Sequence, residues 1–268
     1  MRVTRVSRVV MMWVVAVLCL GPAAERGLAQ TAAERGREIV GKFSNAVITV
    51  RLVAKVRMAM EGRQMEEQEN TSEITATVID PSGLAVCALS EADPTQAIAA
   101  MTADEENYKF EMDITDIKMR LADGKELPAK IVLRDKDLDL AFLRPDPAPA
   151  QPLTAVDLTA SAKSDVLEEM VVLQRLGEVA NRVPGAVLDQ VEAVIQKPRL
   201  MYVPGMNGQS CELGAPVFTL DGKVIGILVY RFPATAGGGR EDSNPLTVLL
   251  PAEDVLEGAK QAPPLAKK

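Results

Sequence analysis

The chain has 268 residues, enough for one large domain or two small ones, and carries a formal net charge of −7. This acidic balance argues against nucleic acid as the main partner, because phosphate binding needs a basic face. The sequence contains no histidine, which excludes every reaction that depends on an imidazole. Aromatic residues make up only 3%, so the core has to be built mainly from aliphatic side chains and methionine.

Residues 1–29 are typical of a signal peptide. Three arginines come first, and the apolar run that follows, residues 9–20, is too short to span a bilayer. Small residues at 27 and 29 predict cleavage before Gln30, with cleavage after Ala24 as a second candidate. We therefore expect an exported protein, periplasmic or extracellular. No other segment is long and apolar enough to cross a membrane, so an integral membrane protein is not expected.

If the signal peptide is removed on export, two of the three cysteines remain in the mature chain. Cys19 lies within the predicted signal peptide and follows Leu18, where a lipid-attachment site needs a small residue, so a lipoprotein is not predicted. Cys87 and Cys211 remain, and two cysteines in an oxidising compartment suggest one disulfide. The alternative is two separate buried thiols, since free cysteine is often a core residue. A zinc site is not predicted, because no histidine or Cys-x-x-Cys pair completes four ligands.

The mature chain is predicted to be mostly β-strand. Residues 30–38 are a polar segment with at most a helical turn, residues 57–72 lack alternation and indicate a loop or hairpin tip, and 233–245 is a glycine-rich loop. A short helix is predicted over 251–261, starting at a proline. Asp-Gly and Pro-Ser-Gly turns join several of the predicted strands. The predicted strands are 46–52, 74–80, 84–90, 108–119, 125–135, 139–145, 166–176, 186–196, 217–220, 223–231 and 246–251.

A proline-rich segment divides the strands into two sets. Residues 145–153 contain four prolines in nine residues, which predicts an extended linker. We expect an N-terminal half over 30–147, a C-terminal half over 154–262 and a tail over 263–268. Many short strands with turn signals favour an all-β protein of two barrels or sandwiches.

Three segments in this order resemble the trypsin-like serine proteases of the HtrA/Deg branch. They are TVIDPSGLAVCALSEAD at 77–93, ADGKELPAKIVLRDKDLDLAFLRP at 122–145 and CELGAPVFTLDGKVIGILV at 211–229. The resemblance extends over roughly 40–258 and implies the trypsin-like double β-barrel, two six-stranded barrels with a short C-terminal helix.

The resemblance also gives positions for the catalytic triad. The family's histidine falls at Ser90, its aspartate at Asp139 and its nucleophilic serine at Leu213, so only Asp139 is retained. The family's reaction needs the imidazole to take the serine proton and return it, while the aspartate only orients that ring. Cys211 stands where the family has a glycine that shapes the oxyanion hole, and its N–H could still point inward. The resemblance therefore implies that no functional triad is present.

Other routes to catalysis receive little support from the sequence. Ser210 lies near the lost nucleophile, but its surroundings contain neither Ser-x-x-Lys nor Gly-x-Ser-x-Gly. A Cys211 nucleophile would need a base to form the thiolate. The alternating Asp135, Asp137 and Asp139 lack the glycine of a calcium loop and lead into an apolar strand, so no metal is predicted. No cofactor is expected either.

If the trypsin-like fold holds, the resemblance places Cys87 and Cys211 on two segments that face each other across the family's cleft. This implies a disulfide between them, and two separate thiols remain the alternative.

The function implied is that of an exported, proteolytically inactive homologue that binds extended peptides or envelope proteins, with a sheet edge beside the old cleft as the binding element. One alternative is a structural or regulatory subunit of an active paralogue. The weaker alternative is an active serine peptidase that uses non-standard residues. Fold alone does not decide among these.

Overall fold

The computed structural model describes residues 30–60, 63–64, 67–95, 98, 108–232 and 245–265. The helices are α1 (Ala32–Phe43), α2 (Leu89–Ala92), α3 (Met206–Gln209) and α4 (Ala252–Gln261), with 3₁₀ turns at Ser44–Ala46 and Glu178–Ala180. The strands of the first half are β1 (Val47–Met60), β2 (Arg63–Gln64), β3 (Gln68–Val78), β4 (Ala85–Ala88), β5 (Tyr108–Arg120), β6 (Glu126–Asp135) and β7 (Leu140–Pro145). Those of the second half are β8 (Glu169–Arg175), β9 (Pro184–Ile195), β10 (Met201–Pro204), β11 (Pro216–Thr219), β12 (Val224–Arg231) and β13 (Leu246–Pro251).

The strands form two antiparallel barrels. In the first, the order β1-β3-β4-β7-β6-β5 is closed by pairing of β5 with β1, and the short β2 adds to the end of β1. In the second, the order β10-β13-β12-β11-β8-β9 is closed by pairing of β9 with β10. The prediction of two six-stranded barrels with a short C-terminal helix is confirmed.

The alternation along β1 shows why these residues form a barrel wall. Ile48, Val50 and Leu52 have 0% exposure and point into the first barrel, whereas Arg51 between them is partly exposed. Side chains of successive strand residues point to opposite faces, so the β-branched and leucine side chains pack inside together. Each barrel has its own apolar cluster, and a third cluster lies between the two.

The prediction of a loop or hairpin tip over 57–72 is wrong for most of that segment. β1 continues to Met60 and β3 begins at Gln68, so the two strands form a long arm. Glu67 bridges Lys55 at 2.9 Å and Arg57 at 2.8 Å at the base of this arm. The first four residues of β3 are polar and exposed, so no apolar alternation marks this part of the strand in the sequence.

Smaller elements also differ from the prediction. The polar segment 30–38 is part of the full helix α1, and β10 and α3 were not predicted because four residues give no periodicity. The predicted loop over 233–245 lies almost entirely outside the described residues. Among the described residues, no helix has the length and apolarity needed to cross a membrane.

The two terminal helices connect the barrels. Phe43 of α1 stacks on Phe218 of the second barrel, with ring centroids 4.7 Å apart. At the other end of the chain, α4 packs on β12 and β13 and also brings Gly258 against Phe142 of the first barrel. A Cβ at position 258 would lie 2.9 Å from the Phe142 ring, so this close approach requires glycine.

Arg175 is a buried cation at the contact between the barrels. It lies at the end of β8 and is 8% exposed. Its guanidinium donates to the carbonyl oxygens of Val47 at 2.7 Å and Ser44 at 2.6 Å, at the start of the first barrel, and of Arg182 at 2.8 Å. Burial lowers the pKa of Arg175. A charge buried in this way stabilises the fold only if its hydrogen bonds are satisfied, and these carbonyls satisfy them.

Candidate functional site

The end of β4 determines where Ser90 lies. The strand stops at Ala88, α2 begins, and the N–H of Leu89 donates to the main-chain oxygen of Asp139 at 2.9 Å. The next N–H, that of Ser90, donates to Asp139 Oδ1 at 2.7 Å, and Ser90 Oγ donates to Oδ2 at 2.9 Å. The structure thus brings together two of the three predicted site residues.

Asp139 is held in the turn between β6 and β7. Its φ is +56°, a left-handed conformation that is uncommon outside glycine but better tolerated by aspartate. The residue is 7% exposed, and its Oδ2 also accepts the N–H of Tyr230, in the second barrel, at 2.9 Å. Burial raises the pKa of Asp139, although the donors on Tyr230 and Ser90 act in the opposite direction. The carboxylate therefore has three donors and joins the two barrels.

Leu213 lies in a loop fixed to both barrels. The adjoining Gly214, with φ +79°, donates its N–H to the oxygen of Leu228 at 2.7 Å, and its own oxygen accepts the hydroxyl of Thr77 at 2.7 Å. Leu213 is 3% exposed and shares a buried cluster with Ala88, at the end of β4. The third predicted position is therefore near the other two in the fold, but it holds an apolar, buried side chain.

The loop before Leu213 contains a single helical turn, α3. The N–H of Cys211 donates to the carbonyl oxygen of Gly208 at 3.1 Å, within this turn. The N–H of Glu212 donates to Gln174 Oε1 at 3.1 Å. The expectation that the Cys211 N–H could point into the site is wrong, because the helical turn uses this donor. An oxyanion hole needs donors aimed at the developing charge, and this one is not available for it.

Ser210, the alternative nucleophile, has no geometry for attack. Its side chain is exposed, and Oγ donates to the carbonyl oxygen of Met206 at 3.2 Å. A hydroxyl is activated by donating to a base, and a main-chain carbonyl cannot take its proton.

The disulfide implied by the resemblance is not formed. Cys87 and Cys211 are both free and buried. The Cys87 thiol donates to the carbonyl oxygen of Ala141 and belongs to the core of the first barrel. The Cys211 thiol donates to the carbonyl oxygen of Asn207 and belongs to the core of the second barrel. Burial raises the pKa of both thiols, that of Cys211 to about 11, so neither is a thiolate nucleophile at neutral pH. The two side chains point into separate cores.

Glu91 is a residue of the site that the sequence pattern did not single out. It directly follows Ser90, and its Oε2 is buried without a hydrogen-bond partner among the described residues. Burial raises the pKa of Glu91 to about 8, with further contributions from the negative charges of Glu212 and Asp139. Its position beside the predicted histidine site was the one signal in the sequence. The site therefore contains three carboxyl groups, those of Glu91, Asp139 and Glu212.

The alternating aspartates do not form a cation site. Asp135 Oδ1 accepts the N–H groups of Asp137 and Leu138, each at 3.0 Å, in a local turn. The part of the chain that the structure describes contains no group of three acidic or cysteine side chains able to hold a metal ion.

The sequence comparison decides the family. Residues 70–227, from β3 to β12, match the trypsin-like peptidase domain. The chain belongs to the trypsin-like peptidase family. No curated protein is similar enough in sequence to match. The resemblance drawn from the three segments is thus confirmed.

Solved structures of proteases share the fold of this trypsin-like chain. One is the MamO protease domain from Magnetospirillum magneticum in its apo form, 12% identical, with 81% of this chain and 96% of that chain covered and a TM-score of 0.50. Another is the HtrA-type protease AlgW with a decapeptide, 14% identical, with 85% of this chain and 67% of that chain covered and a TM-score of 0.54. At these identities the similarity is one of fold.

The raised pKa of Glu91 predicts a pH dependence of the stability of this trypsin-like domain. The folded state binds the Glu91 proton more tightly than the unfolded state does, so the stabilisation is complete below about pH 4.5 and is lost as the pH rises to about 8. At pH 8.5 we expect Glu91→Gln to be more stable than the wild type by about 1–3 kcal/mol, because the amide is neutral whereas the buried carboxylate is ionised at that pH. Urea unfolding from pH 5 to 8.5 measures this.

The exposed Glu169 provides the control for this prediction. The difference in unfolding free energy between wild type and Glu169→Gln should not change with pH. A Glu91→Gln variant whose stability relative to the wild type is also constant from pH 5 to 8.5 would contradict the prediction.

Proposed function

We propose that this chain is an exported, proteolytically inactive trypsin-like domain of HtrA type that binds extended peptides or envelope proteins. The observation that carries the proposal is that the Asp139 carboxylate accepts three hydrogen bonds from groups other than a catalytic base. Its donors are the Ser90 N–H and Oγ and the Tyr230 N–H. The group that would orient a catalytic base instead holds a serine and the main chain of the second barrel.

Three separate deficits support inactivity. Leu213 has no atom that can attack a carbonyl, and the Ser90 hydroxyl is not a base at neutral pH. The N–H of Cys211 is bonded to Gly208. Removal of a complete triad lowers the rate on the order of 10⁶-fold, and the residual rate depends on an intact oxyanion hole. We infer that this chain has neither a working triad nor a formed oxyanion hole to accelerate the reaction.

A strand edge beside this site supports the binding role. β12 pairs with β13 as far as Arg231, but its other side pairs with β11 only up to Ile227, and Leu228 bonds to the adjoining loop. On this side the Tyr230 N–H donates to Asp139 Oδ2, and beyond it, at Phe232, the described residues provide no strand partner. An extended peptide can pair with such an edge through main-chain hydrogen bonds. AlgW, which has the same fold, was solved with a decapeptide.

Export rests on the amino-acid sequence of residues 1–29, with its basic start and short apolar run. An N-terminus at Gln30 or Glu25 in protein recovered from the cell envelope would support it. An intact N-terminus in the cytosol would count against it.

Proteolysis can be tested directly with casein and a fluorogenic peptide library. We expect the wild type to give no turnover above buffer, because no base faces a nucleophile. Ser210→Ala, which alters the one exposed serine in the loop, and Ser82→Ala, a turn serine, should behave identically. Turnover that is abolished in Ser210→Ala but kept in Ser82→Ala would show an active peptidase with non-standard residues.

Peptide pairing at β12 can be tested with peptides selected by display on the purified protein. Strand alternation places the Phe232 N–H on the same edge as that of Tyr230. We expect Phe232→Pro, which removes this donor, to weaken binding at least about tenfold more than Phe232→Ala, which removes only the ring. The dissociation constants are measured by fluorescence anisotropy.

Bound peptide should also slow amide hydrogen exchange at Phe232. Selected peptides that bind Phe232→Pro and Phe232→Ala equally, and that do not protect the Phe232 amide in the wild type, would contradict a binding role for this edge.

A further inference from the structure

A small pocket lies between the two barrels and shares no lining residue with the site described above. Its volume is about 110 Å³. The first barrel contributes Thr49 and Arg120, together with the turn that follows β5, and the second contributes Arg175, Asn181 and Arg182. Three guanidinium groups thus line one cavity in a protein whose net charge is −7.

Arg175 has no carboxylate among its contacts in the described part of the chain. Its hydrogen bonds go to the main-chain oxygens of Ser44, Val47 and Arg182, which are neutral. Those bonds use three of its five N–H groups. Its positive charge is buried at the wall of the pocket without a counter-charge.

Arg120 is only loosely paired. Its nearest carboxylate is that of Glu126 at 3.9 Å, and Glu126 also serves Arg51 at 3.8 Å and Lys118 at 3.7 Å. One carboxylate is therefore shared by three cations, of which Lys118 also lies 3.8 Å from Asp116.

The third guanidinium is fixed in place. Arg182 donates to both carboxylate oxygens of Glu73, at 2.9 and 2.6 Å, across the two barrels. Asn181 and Arg182 both have φ +53°, so this turn between β8 and β9 adopts two successive left-handed residues. Such strain persists only where the surrounding contacts impose it, and it sets the wall of the pocket.

We propose that this pocket binds a small tetrahedral oxyanion of the phosphate or sulfate class. Guanidinium groups match such oxyanions with two parallel hydrogen bonds. Arg175 supplies a charge that pairs with no described carboxylate, and Arg120 supplies one that is paired only with Glu126 at 3.9 Å. Thr49 and Asn181 also line the pocket, and their side chains are of types that can donate hydrogen bonds. Because both barrels contribute, a bound oxyanion connects them and stabilises the folded state. The proposal does not depend on whether the chain is a peptidase.

The thermal unfolding midpoint measures this binding. Sodium phosphate and sodium sulfate are titrated at constant ionic strength, with sodium chloride as the balancing salt and sodium acetate as a planar carboxylate. We expect phosphate and sulfate to raise the midpoint by about 2–4 °C, with chloride and acetate having little effect. A phosphoserine peptide in a parallel titration shows whether the pocket also accepts an esterified phosphate.

Variants locate the binding. Arg120→Gln should weaken phosphate binding at least about tenfold, as measured by calorimetry. Arg120→Lys keeps the charge but loses the planar pair of N–H donors, so its affinity for phosphate should be intermediate. Arg37→Gln, on the exposed face of α1, should bind as the wild type does. Circular dichroism confirms that each variant is folded. Equal phosphate binding by Arg120→Gln and Arg37→Gln, or an equal midpoint shift in chloride or acetate, would overturn the proposal.

Discussion

The carboxylate of Asp139 is the contact on which the arrangement of the site depends. It accepts two donors from Ser90 in the first barrel and one from Tyr230 in the second. To reach them it takes a left-handed main-chain conformation in a buried turn. Strain of this kind costs on the order of 1–3 kcal/mol and persists only where other contacts compensate it. These hydrogen bonds fix the end of β4, the turn before β7 and the end of β12 together.

A trypsin-like peptidase uses this aspartate to orient an imidazole, so its carboxylate needs a partner that can move a proton. Serine has a shorter side chain, and Ser90 lies close enough to donate both its N–H and its hydroxyl. The result is a carboxylate that accepts three hydrogen bonds. Burial raises the pKa of the neighbouring Glu91 to about 8, with further contributions from the negative charges of Glu212 and Asp139. These two charges also oppose the approach of an anionic intermediate. The family fold is retained, and serine and leucine occupy two of the three positions that the resemblance assigns to the triad.

Local sequence patterns predicted an all-β protein of two barrels or sandwiches, and the family resemblance implied the barrels, but several contacts between them were not predicted. The Asp-Gly turn and the apolar strands around it predicted the β11–β12 hairpin closely, because turn chemistry and alternation are local. The outer part of the β1–β3 pair was missed, since residues 68–71 are exposed and polar and pair with β1 through the main chain. The predicted disulfide failed because side-chain direction, which the sequence does not give, points Cys87 and Cys211 into different cores. The burial of Glu91 and Arg175 likewise depends on long-range packing.

The most direct test of the account is the free energy of unfolding of Asp139→Asn against Asp137→Asn, measured by urea denaturation at pH 7. Asparagine tolerates the left-handed conformation, so this substitution removes the charge and one acceptor while leaving the turn intact. If Asp139 serves to connect the barrels, Asp139→Asn should lose about 2 kcal/mol, and the exposed Asp137 variant should stay within about 0.5 kcal/mol of the wild type. Equal stability of the two variants would contradict a structural role for this carboxylate.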